Sequence, residues 1–294
     1  MSAPALTANG AEPLTEPSTS SGNHDPFELF TVGEMTTRVA EIAVEKATHP
    51  VSFLVRSLVG GAMVSFGVLL SLVVSTGVSS PGIASLLMGL AFGMSFALIL
   101  VSGMSLITAD MAAGAIALLQ RRMTLVSYLR LLVIGLAGNC LGALTFVAVC
   151  AAAGGPYLGA FAQRADVVAA AKTSQPTLTA ILLAVVCTWF LQTSMCLFFK
   201  ARTDIARMGF AFYGPFAFVI GATQHVIANI GFLGLPLLLS TFHRDAPHTA
   251  LTWGLGGHGL LTNIAITTVG NLIGGTLFVA VPFQLVTRLQ EAGR

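Results

Sequence analysis

The sequence predicts an all-α integral membrane protein: six transmembrane helices in two inverted three-helix repeats, with the second and fifth helices broken. Three observations carry this. Apolar residues make up 55% and charged residues 9% of the 294 positions, with a mean hydropathy of +0.85, whereas a soluble chain is about one quarter charged. The apolar residues fall into six blocks, long enough for a hydrocarbon core of about 30 Å. Blocks two and five are too long for single spans. Residues 83–120 as one helix would reach about 55 Å, and residues 208–242 run without a charge.

The same composition excludes other classes. A net charge of +2 without a dense basic cluster gives no purchase on nucleic acid. Cys140, Cys150, Cys187 and Cys196 all lie inside apolar segments and read as small buried hydrophobes, neither a disulfide framework nor a metal site. No short apolar core follows a basic start, so a cleavable signal peptide is not expected.

In chain order, residues 1–26 are rich in Ser, Thr, Pro and Gly without Lys or Arg, and read as a disordered tail. Residues 27–50 alternate Phe27, Phe30, Met35 and Val39 with Glu34, Arg38, Glu41 and Lys46, the pattern of an amphipathic helix at the membrane surface, ended by Pro50. The six-span domain occupies 51–290, with spans at about 53–77, 83–120 (broken near 102–107), 125–153, 176–199, 207–241 (broken near 222–227) and 259–288. A polar connection with Arg164, Asp166 and Lys172 joins the halves. Each half reads as a span, an overlong broken span, then a span bearing Gly-Asn-x-x-Gly, at Gly138-Asn139 and at Gly270-Asn271. Three spans per half is odd, so the second half enters from the opposite side, and paired breaks point to a site at the midplane. Eleven Lys and Arg flank one side and three (Arg164, Lys172, Arg244) the other, which places both termini in the cytoplasm of an inner (plasma) membrane.

Chemistry concentrates at the breaks. A half-helix starting in the membrane presents unpaired N–H groups and a positive dipole end, suited to negative charge. Two such starts, near Thr108 and Val226, are expected to meet. His225 is the one histidine in an apolar stretch; it is either a functional group at membrane depth or packing glue between helices. Burial favours the neutral ring and an arriving anion the charged one, which suits a route for small weak acids crossing with a proton. Phe92, Phe96 and Phe218 lie near enough to the breaks to narrow a pore, or else pack against core or lipid. Lys172 reads as a cation at the outer mouth or a snorkelling side chain. Asp110, in the first turn after the first break, is expected to face the helix dipole as a cap.

Gln224-His225-Val226-Ile227-Ala228-Asn229, Leu106-Ile107-Thr108, both Gly-Asn-x-x-Gly motifs, and Lys172 upstream of Gln192 together resemble the formate/nitrite transporter family over roughly residues 27–290. The resemblance implies an aquaporin-like protomer in a homopentamer, each protomer with its own pore for small monovalent anions such as formate or nitrite, with or without a proton. It makes His225 the central pore histidine, Thr108 the threonine facing it, and Asn229 the asparagine of the same motif. Phe92, Phe96 and Phe218 become the constriction positions, and Lys172 the vestibule lysine. The chain departs from the family pattern at Ser105 and Gln224, where carboxylates are usual, at Gln192 in place of Asn, and at Ile107 in place of Phe.

Aquaporins need two Asn-Pro-Ala motifs and ammonium transporters a pair of pore histidines, and the sequence has neither. A membrane enzyme needs several His, Asp or Glu near one face, where these spans offer His225 and Asp110 alone, so neither catalysis, metal nor cofactor is expected. The standing alternative is a membrane protein that keeps the fold without transport, or that conducts gas or neutral solutes.

Overall fold

The computed structural model describes residues 29–293; the expected N-terminal tail and the start of the amphipathic segment lie outside them. The described residues fold into α-helices, with a 3-10 turn at Gly155–Tyr157, a π turn at Thr276–Ala280 and one isolated backbone bridge, Thr252 to Gly259.

Helix α1 (Val32–Thr48) is opened by a capping box in which Thr31 and Glu34 satisfy each other's backbone amides. It buries Met35, Val39, Ala43 and Lys46, a stripe at helical spacing. Pro50 does not merely end this helix; it starts α2 (Pro50–Ser75) at the first position, where a missing N–H costs nothing. Then come α3 (Pro81–Ser102), α4 (Ile107–Leu119) and α5 (Leu125–Ala153). The stretch read as a polar connection holds α6 (Ala160–Thr173), whose alanines favour helix. The second half continues with α7 (Thr177–Lys200), α8 (Asp204–Ile220), α9 (Val226–Phe242), α10 (Leu260–Gly275) and α11 (Val281–Ala292). The two overlong blocks are interrupted between Ser102 and Ile107 and between Ile220 and Val226.

Five helical stretches are long and apolar enough to cross a membrane: Pro50–Ser75, Pro81–Ser102, Leu125–Ala153, Thr177–Lys200 and Leu260–Ala292, the last with the π turn inside it. Ile107–Leu119 and Val226–Phe242 are shorter and apolar, and they are the most enclosed elements of the fold.

The packing of the two halves corresponds. Helix α2 packs on α5 and α3, as α7 packs on α10 and α8, while α9 lies against α5 and α4 against α10. Apolar surface alone does not hold helices together in lipid, so close approach through small residues does more of this work. A Cβ added to Gly138 would meet Ser57 Cβ at 2.6 Å, and one on Gly142 would collide with the Leu58 carbonyl of α2. Gly270 and Gly274 sit as tightly on α7, against the carbonyls of Ile181 and Val185 at 2.5 Å each. The glycines of both Gly-Asn-x-x-Gly motifs thus let each asparagine reach through to a break.

Candidate functional site

Each break opens with the same backbone device. The N–H of Met104 bonds the Ile99 carbonyl at 3.0 Å and that of Thr223 bonds the Phe218 carbonyl at 3.2 Å, six-residue closures around a left-handed residue. That residue is Gly103 (φ 73°) in the first break and Ala222 (φ 51°) in the second.

Each break then ends on an asparagine from a neighbouring helix. Asn139 Oδ1 accepts the first N–H of α4, from Ile107, at 2.7 Å, and Nδ2 donates to the carbonyls of Ser57 (2.5 Å) and Ser105 (2.9 Å). Asn271 Oδ1 accepts the first N–H of α9, from Val226, at 2.9 Å, and Nδ2 donates to the carbonyls of Ala184 (2.9 Å) and Gln224 (3.0 Å). A buried amide group satisfied on both atoms is worth keeping in an apolar interior, because leaving those backbone groups unpaired would cost about 1–3 kcal/mol each.

His225 is the N-cap of α9: its Nδ1 accepts from the Ala228 N–H at 3.1 Å. That bond requires Nδ1 to be bare, so the neutral ring carries its hydrogen on Nε2, and Nε2 donates to Thr108 Oγ1 at 3.0 Å. Thr108 keeps its own hydroxyl hydrogen for another acceptor. The two predicted partners therefore meet, but not in matching register. The position corresponding to His225 is the N-cap Leu106, and Thr108 lies two residues into its helix.

Three cavities lie in series past His225, whose partner Thr108 lines none of them. The first, of about 340 Å³, is lined by Lys172, Arg164, Thr223, Gln224, Phe218 and Phe232 among others. Phe218 also borders a void of about 10 Å³ against His225, Phe92 and Phe96. Phe96, Ile99 and Leu106 in turn border a third cavity, of about 30 Å³, that ends at Lys46 and Asp110. Phe218 stacks flat on the His225 ring, with centroids 5.1 Å apart and planes 8° from parallel, and meets Phe92 edge-on at 5.3 Å. Lys172, half-buried on α6, donates to the Thr223 carbonyl at 3.2 Å and lies 5.1 Å from the Phe232 ring centre. Burial lowers its ammonium from the ordinary lysine value to about 8.

Of the remaining expected residues, Asn229, Ser105, Ile107 and Gln192 line none of the three cavities, while Gln224 lines the first and Asp110 the third. Asn229 Nδ2 donates to Gln224 Oε1 (2.6 Å) and Asn263 Oδ1 (2.8 Å), and its Oδ1 has no partner. Gln224 Nε2 donates to the Lys172 carbonyl at 3.0 Å, tying the second break to α6. Ser105 Oγ is buried and unpartnered. Ile107 points to Phe53 and Gly135, into the α2–α5 packing. Gln192 is fully buried with neither amide atom bonded, and it lines none of the three cavities. Asp110 stands in the first turn of α4, and its Oδ1 also takes Lys46 Nζ of α1 at 2.6 Å, because Lys46 is buried on the inner stripe of that helix and needs a counter-charge. Phe232 escaped the sequence reading, and Leu106 entered it only as part of Leu106-Ile107-Thr108, without a place on the cavities; that place becomes visible once the two halves are aligned on Ser105 and Gln224.

The chain resembles known proteins along most of its length. A formate channel of Bacillus thuringiensis is 28% identical over 250 residues, covering 82% of this chain and 91% of that one. A nitrite transporter of Salmonella typhimurium is 24% identical, covering 89% and 93%. A formate-nitrite transporter of Plasmodium knowlesi is 29% identical across 68% of this chain, which spans only 62% of that relative's length. Among solved structures, an FNT family ion channel superposes with a TM-score of 0.76 at 21% identity, over 87% of this chain and 98% of that chain. A pentameric formate channel with formate bound reaches 0.69 at 19% identity, over 81% and 98%. These likenesses share the fold, and the sequence profile of the formate/nitrite transporters matches residues 33–285, so the chain belongs to that family.

Proposed function

We propose that the chain is a pore for small monovalent anions of weak acids, formate or nitrite among them, with His225 at its centre. The observation that carries this reading is the series of cavities running from Lys172 to Lys46 past His225, whose bond to Thr108 joins the starts of α4 and α9 behind the cavity wall. Two helix N-termini add partial positive charge to a site walled by phenylalanine. An anion gathered near Lys172 leaves water as it passes Phe218. Desolvation there favours the neutral acid over the anion, so a proton joins it before the narrowest part, and bare passage of charge is avoided.

His225 acts in this reading as a neutral hydrogen-bond donor. A second proton would have to go on Nδ1, breaking the bond to the Ala228 N–H and setting positive charge on the positive end of α9. The guest exchanges places with the internal bond: Thr108 donates its hydroxyl hydrogen and His225 its Nε2–H. Asn229 and Gln224 hold the ring's loop in place, and Phe92, Phe96 and Phe218 exclude water.

The same reading takes the two halves as inverted repeats of an aquaporin-like six-span protomer, five copies assembling with one pore each, and both termini in the cytoplasm. The experiment is uptake of labelled formate or nitrite into proteoliposomes, wild type against His225→Ala. Uptake should fall by at least about tenfold in the variant, roughly what loss of one well-placed hydrogen-bond donor is worth. Equal uptake in both proteins, or none in either at any pH between about 5 and 8, would sink it.

A further inference from the structure

The cavities on either side of His225 both end at a lysine, and the two lysines differ in charge balance. On the α1 side Lys46 Nζ is paired with Asp110 Oδ1 at 2.6 Å, both groups buried. On the α6 side Lys172 has the Thr223 carbonyl and the Phe232 ring, neither of which carries a formal charge. Arg164, eight residues earlier on α6, lines the same cavity of about 340 Å³. Its guanidinium donates to Ser75 Oγ at 3.0 Å and lies 3.3 Å from Met88 Sδ. No Asp or Glu lines this cavity, and none of the ion pairs among the described residues involves Lys172 or Arg164.

The local sequence explains why. Gln224 stands at the base of the cavity, and its uncharged amide is already committed to the Lys172 carbonyl and to Asn229. The fourth residue of the half-helix after each break is Asp110 in the first half and Asn229 in the second. A carboxylate is therefore present where it can neutralise Lys46 and absent where it could neutralise Lys172. Along α6 the two cations lie about 12 Å apart, so they act at successive depths. Arg164 faces the end of α2 and Lys172 the second break. Enclosed by apolar walls, their field is less screened than that of surface charges.

We propose that Lys172 and Arg164 make the α6-side cavity a standing binding site for monovalent anions, with no counterpart on the α1 side because Asp110 neutralises Lys46. The pore therefore saturates at lower anion concentration from the α6 face than from the α1 face. This rests on the pore reading above and adds a sidedness to it. The apolar wall of Phe218, Phe232 and Val219 favours small carboxylates and nitrite over strongly hydrated divalent anions.

The test uses the full chain in vesicles sorted by orientation, with initial rates of labelled formate flux measured against concentration from each face at low ionic strength. The half-saturating concentration should be about five- to tenfold lower at the α6 face, and the difference should shrink at high concentrations of an impermeant salt. Lys172→Met should raise the α6-face value most of the way to that of the α1 face, Lys172→Arg should retain it, and Arg164→Gln should shift it by a smaller part. Asp110→Asn, by releasing the charge of Lys46, should lower the α1-face value. Equal half-saturation at both faces with flux intact overturns the sidedness and leaves the pore reading standing. Absence of flux from either face of the wild type overturns the pore reading itself and the sidedness with it. Where Asp110→Asn does not assemble, Lys172→Met decides alone: an unchanged α6-face value overturns the proposal.

Discussion

The first break leaves α3 through Gly103, runs four residues, and restarts with its first amide on Asn139; the second leaves α8 through Ala222 and restarts on Asn271. Carbonyls of α2 and α7 take the other side of those asparagines. The backbone machinery is thus held in common. The side chains at matched positions are not: Leu106 against His225, Ser105 against Gln224, Asp110 against Asn229. The fold repeats a device for stopping and restarting a helix inside an apolar block, and the two copies are then assigned different chemistry. One supplies a hydroxyl, the other a ring, and the site exists only where they touch.

Removing the shared device should give the largest effects. Asn139→Ala and Asn271→Ala each leave one amide and two carbonyls without their partner in a buried setting, at a cost of about 2–4 kcal/mol. Resistance to denaturant of the reconstituted protein should fall by similar amounts in both. A large loss in one and none in the other would break the equivalence of the two asparagines.

That equivalence was only half legible in the sequence. Overlong blocks, Gly-Asn-x-x-Gly and a single apolar histidine are local patterns, and they located both breaks and both members of the His225–Thr108 bond. What the asparagines do was not visible, because their partners lie 32 and 45 residues away and no periodicity encodes a cross-helix hydrogen bond. Asp110 was legible only in part for the same reason: its first-turn position is local, whereas only the fold brings it Lys46 from 64 residues upstream. Helix α6 was hidden by its charges, which matched the expectation of a connection, although its run of alanines favours helix. Gln192 was picked by resemblance, and the structure offers it neither a partner nor a place on the cavities.

The second comparison separates the two nitrogens of His225. Nδ1 holds the start of α9 and Nε2 holds Thr108. His225→Asn can retain the cap but is too short to reach Thr108, whereas His225→Ala loses both. Stability should therefore drop by about 1 kcal/mol in the alanine variant and by a few tenths in the asparagine variant. Formate flux should fall in both alike. Flux preserved in His225→Asn would show that only the cap mattered. Leu106→Ala is the control in the other half: Leu106 makes no side-chain cap, so its effect should be confined to packing and to leak through the widened constriction.

A smaller difference, of opposite sign in the two halves, is set by the left-handed residues. Ala222 has φ 51°, a conformation costly for a residue with a Cβ, while Gly103 occupies the matching place without strain. Ala222→Gly should stabilise the protein by about 0.5–1 kcal/mol, after allowing for the greater freedom of glycine in the unfolded chain. Gly103→Ala should destabilise it by about 1 kcal/mol, through the backbone alone, since no atom lies within 4 Å of where its Cβ would go. Thermal transitions of the two variants moving in the same direction would show that the breaks are not under equivalent constraint.

The smallest expected effect concerns the α6 face alone. Burial lowers Lys172 from 10.5 to about 8. The groups around it are the Cys187 thiol, the Thr223 carbonyl, the Phe232 ring and, across Phe218, neutral His225, with Arg164 on its own helix and His258 bonded to the adjacent Thr173. No carboxylate restores the charge. Below about pH 8 both folded and unfolded chains hold this proton, and the cost of a cation in that setting is fully present. Between about 8 and 10.5 the folded chain releases the proton while the unfolded chain still binds it, so stability rises with pH across that window. Function moves the other way. As the ammonium discharges, the α6 cavity loses one of its two cations, and the half-saturating formate concentration from that face should rise about two- to fivefold between pH 7 and 9, where a carboxylate stays fully ionised. From the α1 face it should not change. Lys172→Arg, which does not discharge in this range, should hold the α6-face value flat, and a pH response that survives that substitution would have to come from another group.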